Sequence, residues 1–137
     1  MLKDAMLTQI VAIGCGGALG GVARFWLSSL INRRVGGSFP WGTLVVNTSG
    51  SLLIGGLAAG FLEMPSGHAA TTLWLLLVIG VLGSYTTVSS FSLETLTLLR
   101  NGQAIQAGVN IIVSVVLCLA AAFCGHTLVA GLSGGWV

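Results

Sequence analysis

Gly83-Ser84-Tyr85-Thr86-Thr87-Val88-Ser89-Ser90-Phe91-Ser92 is the stretch from which the architecture is read. It interrupts an otherwise apolar run from about Thr71 to Leu99 and places a glycine and six Ser/Thr hydroxyls near the run's centre. If that run crosses a bilayer, the hydroxyls fall at the hydrocarbon midplane, where polar groups are expensive and face protein partners or a wet path. A single Ser or Thr commonly returns its hydroxyl to the carbonyl one turn back, so each is as readily structural as functional. Six beside a glycine instead predict a helix broken near residues 83–87. Its freed carbonyls and amides need partners, and such breaks in membrane proteins coordinate ions.

The rest of the chain is consistent with a bilayer setting. Of 137 residues, 55% are hydrophobic and 6% charged, against roughly 25% charged in a soluble domain. The eight charges are Lys3, Asp4, Arg24, Arg33, Arg34, Glu63, Glu94 and Arg100, and a net charge of +2 is too small and scattered for nucleic-acid binding. A span needs about 20 apolar residues. The sequence offers four, at about 7–31, 41–62, 71–99 and 104–130, which predicts an all-α integral membrane protein forming a single membrane domain over 1–137. The first run continues to about Ile31 with no small-residue cleavage site before polar sequence, so it reads as a span rather than a removable signal.

Short turns separate the spans. The 32–40 loop carries Arg33, Arg34, Gly36, Gly37 and Pro40; Glu63 to Ala70 holds Pro65 and Gly67; residues 100–103 form a four-residue turn; and a glycine-rich tail ends near Trp136. Gly16 and Gly20, and Gly17 and Gly21, are four apart on one face of the first span, a spacing that lets another helix approach closely. Positive charge at helix ends faces the cytoplasm. Arg33, Arg34, Arg100 and a snorkelling Arg24 against Lys3 favour both termini outside.

Little here could do covalent chemistry. There is no HExxH, no GxxxxGK and no nucleophile paired with a base, so the chain does not read as an enzyme. Cys15, Cys118 and Cys124 lie in apolar segments without CxxC spacing, and His68 and His126 sit near span ends as ordinary interfacial side chains. The intramembrane polar residues are the candidates: Asn47, Thr86, Thr87, Ser89, Ser90, Ser92, Asn110 and Ser114. Carbonyls freed at the break could hold a hard cation, and nearby hydroxyl and amide hydrogens an anion.

Two segments, GTLVVNTSG at residues 42–50 and GSYTTVSSFSLET at 83–95, resemble the signature segments of the Fluc (CrcB) fluoride channel family. GGALGGVAR at 16–24 and the four-span length extend the resemblance over almost the entire chain. It implies a fluoride-selective channel of the bacterial cell inner membrane that exports fluoride from the cytoplasm. The assembly implied is a dual-topology antiparallel homodimer enclosing two pores, with a structural sodium ion at its centre. By matching positions, the carbonyls of Gly83 and Thr86 would hold the sodium. Asn47, Ser89, Asn110 and Ser114 would line the fluoride path, Phe91 would turn its ring edge to the anion, and Arg24 would sit near a pore entrance.

For the polar residues an interhelical bond is the competing reading, for Phe91 ordinary packing, and for Arg24 snorkelling to headgroups. The sequence departs from the family at Val88, where a second phenylalanine is expected, and at Cys118 and Ala122, where hydroxyls are often seen. The rival reading is a small multidrug-resistance-type proton-coupled cation exporter, also a four-span antiparallel dimer. That mechanism needs a carboxylate deep in the first span, whereas the acids here are Asp4, Glu63 and Glu94.

Overall fold

The computed structural model describes residues 2–62, 64–132 and 134; Glu63 and the tail tryptophan, Trp136, lie outside the described residues. Among the described residues, four helical segments are long and apolar enough to cross a membrane: Lys3–Val35, Trp41–Leu62, His68–Arg100 and Ala104–Leu132. The first, third and fourth run a few residues past the ends read from the sequence. Polar and charged residues such as Lys3, Asp4, Arg33, Arg34, His68 and Arg100 end the apolar pattern without ending the helix.

Helix α1 (Leu2–Val35) has 34 residues, about 51 Å at 1.5 Å per residue, well beyond a hydrocarbon core of about 30 Å. Asp4 in its first turn and Arg33 and Arg34 in its last match the helix dipole. The side chain of Asn32 accepts from Gly42 N at 2.8 Å, tying the end of α1 to the start of α2 (Trp41–Leu62). The third span begins as α3 (His68–Trp74), widens into a π-helix over Leu75–Leu82, and closes with the single turn α4 (Gly83–Tyr85). Thr86 and Thr87 are extended (φ −74°, ψ 153° and φ −151°, ψ 119°), and helix resumes as α5 (Val88–Arg100).

The turn after α5 is a Schellman motif. Gln103 N donates to Leu98 O at 2.9 Å and Gly102 N to Leu99 O at 3.1 Å, with Gly102 at φ 74°. Helix α6 (Ala104–Leu132) completes the bundle.

Two helix pairs dominate the packing: α2 with α6, and α1 with the π-helical segment. Both are backbone-to-backbone. A Cβ on Gly20 would fall on the carbonyl of Val81, and one on Gly125 would fall on the carbonyl of Leu52. Small residues permit that closeness, and dispersion and backbone contacts then hold helices together where no hydrophobic force separates helix from lipid.

The side-chain core is correspondingly thin. Val46 and Asn110 are the large residues fully buried, whereas Phe25, Trp26, Ile105, Phe123 and many other apolar side chains lie exposed. An apolar exterior of this extent suits hydrocarbon, not water.

Candidate functional site

The site is organised by two residues without helical dihedrals. The amide of Thr87 cannot bond Gly83 O as a continuing helix would require. It donates instead to Asn47 Oδ1 at 2.7 Å, while Asn47 Nδ2 donates to Thr87 O at 2.9 Å. One side chain on α2 thus satisfies both polar groups of a buried residue, which is what a backbone interruption in the bilayer demands. Gly50, one turn further along α2, leaves room for the methyl of Thr86 and the ring of Tyr85. Tyr85 OH lies 2.9 Å from Ser49 Oγ.

Thr87 also caps α5: its Oγ1 accepts from Ser90 N at 3.1 Å, lies 3.1 Å from Ser89 Oγ, and donates to Ser90 Oγ at 3.2 Å. These bonds divert two amides. The helical donors for Gly83 O and Thr86 O would be Thr87 N and Ser90 N, which are turned to Asn47 and to the Thr87 hydroxyl. The break therefore sets a carbonyl end, at the close of α4, beside an amide end, at the start of α5. One side suits a cation and the other an anion.

Further along α5 a second polar chain links it to α6. Ser114 Oγ donates to Asn110 Oδ1 at 3.4 Å, Asn110 Nδ2 to Thr95 Oγ1 at 2.8 Å, and Thr95 Oγ1 to Phe91 O at 2.7 Å. Asn110 is 1% exposed and Ser114 and Thr95 are buried. The hydroxyl hydrogens of Ser114 and Thr95 are committed within the chain, and the second N–H of Asn110 is the donor these bonds leave available.

The structure thus brings Asn47 and Ser89 together through Thr87, with Gly83 and Thr86 on the flanks, and joins Asn110 and Ser114 to the Phe91 carbonyl through Thr95. Phe91 is half-buried and Ser89 exposed. Arg24, half-buried on α1, shares no side-chain hydrogen bond with the others among the described residues. Val88 is 77% exposed, so its side chain projects away from the subunit at the start of α5.

Thr95 and a third pair were not singled out from sequence. Thr43 Oγ1 donates to Glu94 Oε1 at 2.9 Å, fastening α2 to α5. The signal was helical spacing: Thr43 is four residues before Asn47 on α2, Glu94 seven after Thr87, and Thr95 four after Phe91. Thr43→Val removes the donor and strands a carboxylate oxygen, at a cost of about 1–3 kcal/mol. The expected outcome is a lowered unfolding midpoint in detergent; an unchanged midpoint assigns the pair no structural weight.

Four apolar spans with clustered intramembrane polar groups define a multi-pass α-helical membrane protein. The profile of the family described as CrcB-like protein, Camphor Resistance (CrcB), matches residues 11–126, and the chain belongs to that family. It is similar to Fluoride-specific ion channel FluC 2 of Bradyrhizobium diazoefficiens, 49% identical over 129 residues covering 94% of each chain. It is also similar to Fluoride-specific ion channel FluC of Opitutus terrae, 50% identical over 123 residues (88% of this chain, 92% of the relative), and to that of Rhodospirillum rubrum, 49% identical over 116 residues (83% and 88%). The resemblance read from residues 42–50 and 83–95 is thereby borne out.

Proposed function

We propose that this chain is the subunit of a fluoride-selective channel that lets fluoride leave the cytoplasm through the bacterial inner membrane and so confers fluoride resistance. The observation that carries the reading is the break at Thr86 and Thr87, where hydroxyl and amide donors gather at mid-span while the span's arginine, Arg100, lies at its far end. Neutral donors at short range favour a small, strongly hydrogen-bonding anion, and the relatives' names supply the identity of that anion. The exporter alternative has no support from α1, whose acid is Asp4 in its first turn.

The working unit in this reading is an antiparallel homodimer. A single chain buries little of its apolar surface, and its break lies beside the outward-facing Val88. A sodium ion fits the same place. Gly83 O and Thr86 O have lost their helical donors, and the matching pair from a second copy would complete an oxygen shell. Bound there, the ion would neutralise the facing carbonyl dipoles, which are costly to bury unpaired. In this chain, Asn47 holds the break, Ser89 and the free N–H of Asn110 donate to the anion, Ser114 orients Asn110, and Arg24 raises anion concentration at an entrance.

Phe91 offers its polarised ring edge, and Val88 cannot do the same, so Phe91 stands alone. The test is fluoride efflux from liposomes containing only this protein, wild type beside Phe91→Ile. An edge contact of about 1 kcal/mol corresponds to a several-fold change in occupancy. Phe91→Ile is therefore expected to slow efflux several-fold with unchanged elution, and unchanged efflux assigns Phe91 to packing.

A further inference from the structure

A crevice of about 690 Å³ opens where α1 and the third span begin, walled by Ala5 and Gln9 on one side and by His68, Ala69, Leu73 and Leu76 on the other. At Leu76 the two helices meet backbone to backbone, where a Cβ on Gly16 would fall on the Leu76 carbonyl. Outward from that junction the packing loosens, and α3 has no buried residue. His68 to Leu76 is about 12 Å at 1.5 Å per residue, most of one leaflet of a hydrocarbon core about 30 Å thick.

The third-span wall changes character with depth, from His68 and Thr72 to Leu73 and Leu76. Thr72 spends its hydroxyl hydrogen on His68 O at 2.8 Å, and Thr8, at the mouth on α1, spends its own on Asp4 O at 2.9 Å. The side-chain amide of Gln9 is half-buried and has no hydrogen-bond partner among the described residues. A polar side chain in a span faces a partner. Among the described residues lining the crevice there is no Lys, Arg, Asp or Glu.

Leucine walls cannot order water, which needs several polar partners, and an empty gap forfeits dispersion along its lining. We propose that the crevice holds one zwitterionic glycerophospholipid, with an acyl chain on Leu73 and Leu76 and its phosphate and ester oxygens on Gln9 Nε2 and the His68 ring N–H. Those oxygens are acceptors, as the unspent donors at the mouth require, and an ethanolamine ammonium answers the Gln9 carbonyl. A headgroup of no net charge suits walls that carry none. By contrast, the groove walled by Gly56, Gly60, Leu128 and Val129 has no donor side chain in its lining and gives a headgroup nothing to hold. The crevice lies at the span ends, away from Thr86 and Thr87, and the inference stands whether or not the chain conducts fluoride.

The test is native mass spectrometry of the full-length protein in mild detergent, titrated with dioleoyl phosphatidylethanolamine. The expected result is one lipid per subunit retained at collision energies that strip the rest. Occupancy should fall several-fold in Gln9→Leu, which keeps an apolar wall but removes the amide, and should vanish in Ala69→Trp, whose ring fills the mouth. Gly21→Ala, in open space on α1, should match the wild type. Equal retention in wild type and Gln9→Leu, or no lipid retained at all, overturns the proposal. So does loss of the dimer in Ala69→Trp at an unchanged lipid count, which would make the crevice the seat of a second copy. If Ala69→Trp does not fold, Gln9→Leu alone decides.

Discussion

Asn47→Ala is expected to abolish fluoride efflux and to lower the stability of the protein in detergent. The amide of Asn47 is the partner of both Thr87 N, at 2.7 Å, and Thr87 O, at 2.9 Å, and Thr87 is buried. Alanine leaves both groups unpaired at membrane depth, at about 1–3 kcal/mol each. That loss is a large share of a net stability of about 5–15 kcal/mol. Asn47→Asp separates the two roles. It retains an acceptor for Thr87 N but loses the donor to Thr87 O and sets an anionic group against that carbonyl. It should fail as Asn47→Ala does. Efflux from liposomes, with elution in mild detergent recorded alongside, reads both effects, and undiminished efflux in Asn47→Ala would show that the break is held by something else.

Gly20→Leu should prevent the bundle from assembling. Any Cβ at position 20 meets the backbone carbonyl of Val81, which cannot swing aside as a side chain would, and Gly16 and Gly80 bring backbone against backbone along the same junction. Overpacking in ordinary cores costs about 1–3 kcal/mol. A branched side chain against two backbones asks for more, because α1 must separate from the π-helical segment along its length. Gly21 is the internal control: nothing lies within 4 Å of its Cβ position, so Gly21→Ala should elute and melt as the wild type does. Gly20→Leu protein that elutes at the wild-type position with an unchanged melting midpoint would contradict the packing described.

How much of this could be read beforehand follows from what each feature depends on. The four spans follow from composition and length, which a bilayer reads almost directly. The four-residue spacing of Gly16 and Gly20 was visible, but not that Gly80 would meet Gly16 from the third span, because the facing residue depends on how the π-helical segment is wound. The π-helix left no mark in a run of Leu, Val, Ile and Gly, where apolar side chains surround the helix whatever its pitch.

The polar residues divide in the same way. Asn47 stood out because an amide in a span needs a partner, yet that partner is a backbone unit, which carries no sequence signal. Asn110 and Ser114 were visible as intramembrane polar groups, and the structure gives them an interhelical chain through Thr95. Thr95 was hidden because a threonine can equally return its hydroxyl to its own helix, and it does so to Phe91 O while accepting from Asn110. From sequence, Glu94 reads only as an acid outside the first span. Its engagement with Thr43 depends on α2 and α5 lying side by side, which residue spacing alone does not fix.

Anion selectivity is the property on which the account stands, and liposomes containing only this purified protein, loaded with equal fluoride and chloride, test it most directly. With ion-selective electrodes outside, fluoride should appear rapidly while chloride stays inside, because short-range neutral donors such as Ser89 and the free N–H of Asn110 favour the smaller, more strongly hydrogen-bonding ion. Chloride leaving as readily as fluoride, or no fluoride leaving at all, would contradict the account.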